Sequence, residues 1–230
     1  LDADPMGYWE SPALKARIVR HYAEWYGVEI SPAQILLTCG ASPALVLALS
    51  MSFAPGDRIA LARPGYVAYR NNLKALHMVP VELPCGEAER FQLTAGALAA
   101  LDPAPRGVIV ASPANPTGTI IPREELAAIA AVCRERGITI ISDEIYHGIA
   151  YGLRTPSILE VEPQALVVTS FSKYFSMAGW RLGWLVVPPG GIDPEHVITP
   201  GIFVQKMVEV PNPAQEEDLN LAKAAYPLEV

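Results

Sequence analysis

The chain has 230 residues, of which 51% are hydrophobic and 18% charged, with a formal net charge of −7. That is enough length and apolar content for a substantial buried core. The acidic balance and scattered Lys and Arg offer no basic stripe for nucleic acid; no apolar run approaches the ~20 residues of a membrane span, and no basic-then-apolar leader opens the sequence.

A helical pattern covers 12–26. Ile35-Leu36-Leu37-Thr38 is a strand candidate, followed by Cys39-Gly40-Ala41-Ser42 and an apolar helix over 43–52. Pro55-Gly56-Asp57 marks a turn before a second strand at 58–62. A helix over 66–76, a strand over 78–83 and a helix over 94–101 capped by Thr94 come next. The pattern continues with a strand at 108–111, a helix over 122–136 with Pro122 in its first turn, and strands at 138–142, 166–170 and 181–187. Short apolar strands separated by helices predict a largely parallel sheet covered on both faces. Ligands of such sheets sit beyond the carboxyl ends of the strands, and the chemically suggestive motifs fall at those ends. Cys39, Cys85 and Cys133 lack metal-ligand spacing. They are expected to be buried, reduced thiols of a cytoplasmic protein.

The stretch from Thr169 to Trp184 sets Lys173 between two hydroxyl residues after an apolar strand, with Arg181 eight residues on. Desolvation at such a strand end favours the neutral amine, the form that attacks an aldehyde to make a Schiff base; a solvated strand end has the same pattern. Gly40-Ala41-Ser42 lies between a strand and a helix, where backbone N–H groups and the helix dipole can face a dianion. Small residues at such junctions also serve packing. Tyr66 follows a Pro-Gly turn and could cover either the core or a ligand. Asn115 is flanked by prolines in Ser112-Pro113-Ala114-Asn115-Pro116-Thr117-Gly118, which equally suits a plain turn. Asp143, in Ser142-Asp143-Glu144-Ile145-Tyr146, follows an apolar strand, where an unpaired carboxylate is penalised.

In this order the motifs resemble the pyridoxal-phosphate (PLP) enzymes of the aspartate aminotransferase superfamily, class I/II aminotransferases of fold type I, over about residues 7–188. The resemblance implies a three-layer α/β/α large domain with a mostly parallel seven-stranded sheet, and a C-terminal small domain largely missing from this chain. It implies PLP as cofactor, its phosphate held by Gly40, Ala41, Ser42, Ser170 and Arg181 with help from Ser172. Tyr66 would stack on the pyridine ring, Asp143 would pair with the protonated ring nitrogen, and Asn115 and Tyr146 would reach the phenolic oxygen. Lys173 would form the Schiff base and shuttle the proton. The activity implied is transfer of an amino group between an amino acid and a 2-oxo acid by a cytoplasmic homodimer, with no metal, nucleic acid or membrane involved. A lyase or decarboxylase on the same scaffold, or an inert PLP-binding fragment, are the alternatives. His147 is expected to pack behind the site, and His21, His77 and His196 receive no role.

Three departures from the family pattern stand out. The chain opens at Leu1-Asp2-Ala3, and Tyr8 is the one nearby candidate for a partner-subunit tyrosine, in a poorly matching register. No arginine follows Arg181 to clamp a substrate carboxylate; Lys206 and Lys223 lack the bidentate fork. Residues 190–210 briefly resemble a CoA-transferase segment. The expected organisation is therefore a PLP-binding domain over 1–188, with a partial N-terminal helical region over 1–30, and an atypical tail over 189–230 that packs poorly or lies extended. Turnover is expected to be weaker than cofactor binding.

Overall fold

The computed structural model describes residues 11–190, all within one compact unit that runs from Leu1 to His196. Tyr8 and nearly all of the tail lie outside the described residues.

Seven strands form one sheet: β1 (Ile35–Thr38), β2 (Arg58–Arg63), β3 (Val79–Pro84), β4 (Gly107–Ala111), β5 (Thr139–Asp143), β6 (Leu166–Ser170) and β7 (Gly183–Val186). Their spatial order is β1-β7-β6-β5-β4-β2-β3. From β6 to β3 all neighbours are parallel, whereas β7 is antiparallel to both β6 and β1. Six strands therefore run one way and β7 alone is reversed. The helices are α1 (Pro12–Tyr26), α2 (Ala41–Ser52), α3 (Val67–Ala75), α4 (Ala95–Ala99) and α5 (Arg123–Arg136).

Two cores follow from the two-residue period of a strand. Ile109, Ile141, Val168 and Leu185 face Leu49 of α2 and Leu73 of α3. Their neighbours Val108, Val110, Ile140, Val167 and Val186 face the opposite way, against Ile18 and Tyr22 of α1, Leu98 of α4 and Leu126 and Ile129 of α5. With both sheet faces covered, the central strands read as unbroken apolar runs instead of alternating ones. Each fully buried aliphatic side chain contributes about 1.5–3 kcal/mol. This is the three-layer α/β/α arrangement expected from the sequence.

Local chemistry sets the element ends. Ser11 Oγ accepts from the Leu14 N–H at the start of α1, and Thr94 Oγ accepts from Ala97 at the start of α4. Pro122 is the extended N-cap of α5, one residue ahead of the expected first turn. Glu124 and Glu125 begin that helix and Arg134 and Arg136 end it, in line with its dipole. The strand expected from Arg181 starts only at Gly183, because Arg181 is left-handed (φ 50°, ψ 51°) and cannot continue a strand.

Candidate active site

The carboxyl ends of the six co-directional strands lie at one edge of the sheet. An open cleft of about 900 Å³ there is lined by Ala41, Ser42, Tyr66, Tyr69, Asn115, Asp143, Tyr146, Ser172, Lys173 and Arg181, among others. Residues separated by more than a hundred positions in sequence thus meet in one place.

Asp143 ends β5 and shares the sheet face of Ile141, towards α2 and α3. Tyr69 of α3 donates its hydroxyl to Asp143 Oδ2 at 2.6 Å, and the Ile145 N–H donates to Oδ1 at 3.1 Å. Burial pushes the Asp143 carboxyl above its ordinary 3.8, opposed chiefly by the Tyr69 and Ile145 hydrogen bonds. Burial and the adjacent carboxylate push the Tyr69 hydroxyl well above 10.0. Glu144, one residue on, faces the other side of the sheet, where its Oε1 accepts from Ser142 Oγ, Ser157 Oγ and the Ile158 N–H.

The Asn115 loop is tied down at both feet. Ser112 Oγ accepts from the Ile121 N–H at 3.0 Å, while Gln92 Nε2 donates to the carbonyls of Ala111 and Thr119. Asn115 Nδ2 donates to Tyr146 Oη at 3.5 Å, so the two side chains converge on the cleft. Lys173 Nζ lies 5.7 Å from the centre of the Tyr146 ring. Lys173 itself is exposed. The chain turns outward after β6, so the burial expected from the preceding apolar run does not reach this amine.

Arg181 donates through Nη1 to the Ala178 carbonyl at 3.0 Å and through Nη2 to the Cys39 carbonyl at 3.5 Å. It lies directly over Gly40 (φ 106°), where an added Cβ would stand 2.9 Å from Arg181 Nη2. Beneath them, a Cβ on Gly183 would stand 2.7 Å from the Gly40 carbonyl carbon. Among the described residues no side chain caps the start of α2, and the first-turn N–H groups of Ala41 and Ser42 lie beside the guanidinium. That pairing suits a phosphate. Ser172 lines the cleft. Ser170 is buried at the end of β6; its Oγ accepts from the Ser172 N–H at 3.1 Å, and it lines a small cavity with Tyr22, Tyr26 and His147. Tyr66, 40% exposed, meets Tyr69 edge-on at 5.5 Å.

Of the cysteines, Cys85 and Cys133 are buried, and burial pushes the Cys133 thiol up to about 12. Cys39 is exposed, contrary to expectation, because it follows the short β1 where the chain leaves the sheet. Sequence reasoning missed Tyr69 and Gln92. Tyr69 carried a usable signal: it lies three residues after Tyr66, the N-cap of α3, and the two rings meet.

The cleft at the strand ends thus brings together a guanidinium beside a helix start, a buried carboxylate, an amine and an amide–phenol pair. The sequence model of the family Aminotransferase class I and II matches residues 6–214, a range that extends past residue 188. The chain belongs to the class I and II aminotransferases, a family that is in general PLP-dependent. It is 50% identical over 179 residues to a valine–pyruvate aminotransferase of Mycobacterium tuberculosis, covering 77% of this chain and 46% of that protein. It is 36% identical over 183 residues to an aspartate aminotransferase of Geobacillus stearothermophilus, covering 77% and 47%. Among solved structures, an aminotransferase from Mycobacterium tuberculosis superposes with a TM-score of 0.81 at 44% identity, covering 89% of this chain and 53% of the other. Aspartate aminotransferase from Thermus thermophilus with maleate gives 0.77 at 27% identity, covering 85% and 50%. The chain spans about half the length of the relatives it matches. Among the described residues no helix is long and apolar enough to cross a membrane.

Proposed function

We propose that residues 1–188 form the cofactor-binding domain of a PLP-dependent aminotransferase that moves an amino group between an amino acid and a 2-oxo acid, working as a cytoplasmic homodimer. The observation that carries this reading is the meeting of Lys173, Asp143, Asn115, Tyr146 and Arg181 around one cleft. The donor set fits the cofactor at both ends. A guanidinium above an uncapped helix start takes the dianionic phosphate, and the buried Asp143 carboxylate takes a protonated ring nitrogen.

When bound, PLP supplies an electron sink for charge developing at the substrate Cα. The residues of this chain bind, orient and move protons around it. Asp143 would keep the ring nitrogen protonated, and the Tyr69 hydroxyl, donating to Asp143 Oδ2, favours its ionised form. Asn115 and Tyr146 would donate towards the phenolic oxygen, and Tyr66 would cover the ring. Lys173 would provide the amine that holds the cofactor, and its Nζ would carry a proton between the substrate Cα and C4′ of the cofactor.

A visible absorbance titration of the chain with PLP, run beside Lys173→Ala, tests this. A saturable, pH-dependent band that is lost in Lys173→Ala supports the reading, and an equally strong band in both proteins overturns it. The likeness to a valine–pyruvate aminotransferase makes valine with pyruvate the first substrate pair to try, and aspartate with 2-oxoglutarate the second.

A further inference from the structure

His147 lies behind the cleft, beside Tyr146, and is buried. Its Nε2 is 2.9 Å from the Ser112 carbonyl oxygen. A carbonyl only accepts, so Nε2 carries the proton. Its Nδ1 is 2.8 Å from Tyr26 Oη of α1 and 3.5 Å from Glu144 Oε2. In the neutral ring Nδ1 accepts from the Tyr26 hydroxyl; in the charged ring it donates to Glu144 or Tyr26. The Nε2–H bond to Ser112 is the same in both.

Ser112 begins the loop that carries Asn115. Its N–H donates to the Asp143 carbonyl at 3.4 Å, and Gln92 and Ile121 hold the two feet of the loop. The His147 bond joins this loop to the turn after β5, next to Tyr146, the residue that Asn115 has to meet. The Asn115–Tyr146 contact at 3.5 Å is too long to fix that separation itself. We propose that His147 is a positioning residue: its Nε2–H bond to Ser112 sets the distance between the Asn115 loop and Tyr146, with Tyr26 holding the opposite ring nitrogen.

This rests on the reading that Asn115 and Tyr146 face the cofactor, so the test includes measurements without PLP. They are made on the full chain as wild type, His147→Phe and His147→Gln. Phe fills the space without a donor, whereas the Gln side-chain amide restores an N–H towards Ser112. In His147→Phe the Ile121 and Gly118 amides should exchange with solvent about 10-fold faster, the factor for one lost buried hydrogen bond, and His147→Gln should return them towards wild type. In the wild type, ring ¹⁵N shifts of His147 should show a protonated Nε2. With PLP, the pH midpoint of the Lys173-dependent absorbance band should move in His147→Phe and move back in His147→Gln, which a change in stability alone would not produce.

Unchanged amide exchange and an unchanged midpoint in His147→Phe would reduce His147 to a space-filler and overturn the proposal. An unprotonated Nε2 in the wild type would overturn it even if His147→Phe failed to fold. Absence of any Lys173-dependent band in the wild type would instead sink the cofactor reading, with the exchange and ring data still deciding the role of His147.

Discussion

Replacing Tyr69 with Phe tests the electrostatics of the site most directly. The substitution keeps the ring in the core beside Leu73 and removes only the hydroxyl that Asp143 Oδ2 accepts at 2.6 Å. Tyr69 is 5% exposed and Asp143 8%, so water cannot readily replace the lost donor. A hydrogen bond to a charged group is worth about 1.5–3 kcal/mol, against about 0.5–1.5 for a neutral pair. The pH dependence follows from the direction of the Asp143 shift. Its folded value is raised above 3.8 by burial, so the folded protein takes up the proton more readily than the unfolded chain. Ionised Asp143 therefore costs stability, a cost absent below the unfolded value and complete once pH passes the folded one. The Tyr69 hydroxyl offsets part of that cost, and only where Asp143 is charged. Urea unfolding of wild type and Tyr69→Phe from pH 8 down to the ordinary carboxyl value of 3.8 should show the variant less stable by about 1.5–3 kcal/mol at pH 8. The deficit should shrink as pH falls through the folded Asp143 value. An equal deficit across the range would refute a charge-assisted bond, and no deficit would refute the contact.

Three further outcomes are expected. Gly183→Ala would press a Cβ to within 2.7 Å of Gly40 and 2.8 Å of the Thr169 carbonyl oxygen; a loss of about 1–3 kcal/mol in urea, together with weaker PLP binding by absorbance, would confirm that crowding. Leu49→Ala empties a fully buried position between α2 and the sheet, and denaturant unfolding should register a cost of about 2–5 kcal/mol. In a thiol-reagent assay on the native chain Cys39 should react first, with Cys85 and Cys133 waiting for denaturant, since both are buried and burial disfavours their thiolates.

The sheet was legible because both of its faces are covered. The runs at 108–111 and 166–170 are largely apolar, and a strand buried on both sides needs that composition at that length. Asp143 was legible for a related reason: it ends such a run, where a polar side chain is costly to bury without a partner; Asn115 was marked only by its flanking prolines and the family motif. Tyr69 was not legible as a partner of Asp143. That contact spans 74 positions and depends on how α3 lies across the sheet, which no local pattern encodes. Lys173 failed in the opposite sense. The apolar strand before it suggested burial, but three residues of turn are enough to bring a side chain back into solvent. His147, expected behind the site, does lie there; its bond to Ser112 depends on two loops approaching each other, a distance that spacing in sequence does not set.

The reversal of β7 has a consequence for how the two cationic groups arrive. A parallel β7 would have required a crossover of a dozen residues or more, and its first residue would then lie at the far edge of the sheet. Arg181 would be carried about 13 Å away, the length of a four-residue strand at ~3.3 Å per residue. Because the strand returns antiparallel, one loop from 171 to 182 begins and ends at the same edge, pinned by the register of Ser170 against Gly183. Lys173 and Arg181 are thus mounted on a single bracket. Each lies within three residues of a strand end fixed by that register, so the sheet itself sets where both the amine and the guanidinium leave it.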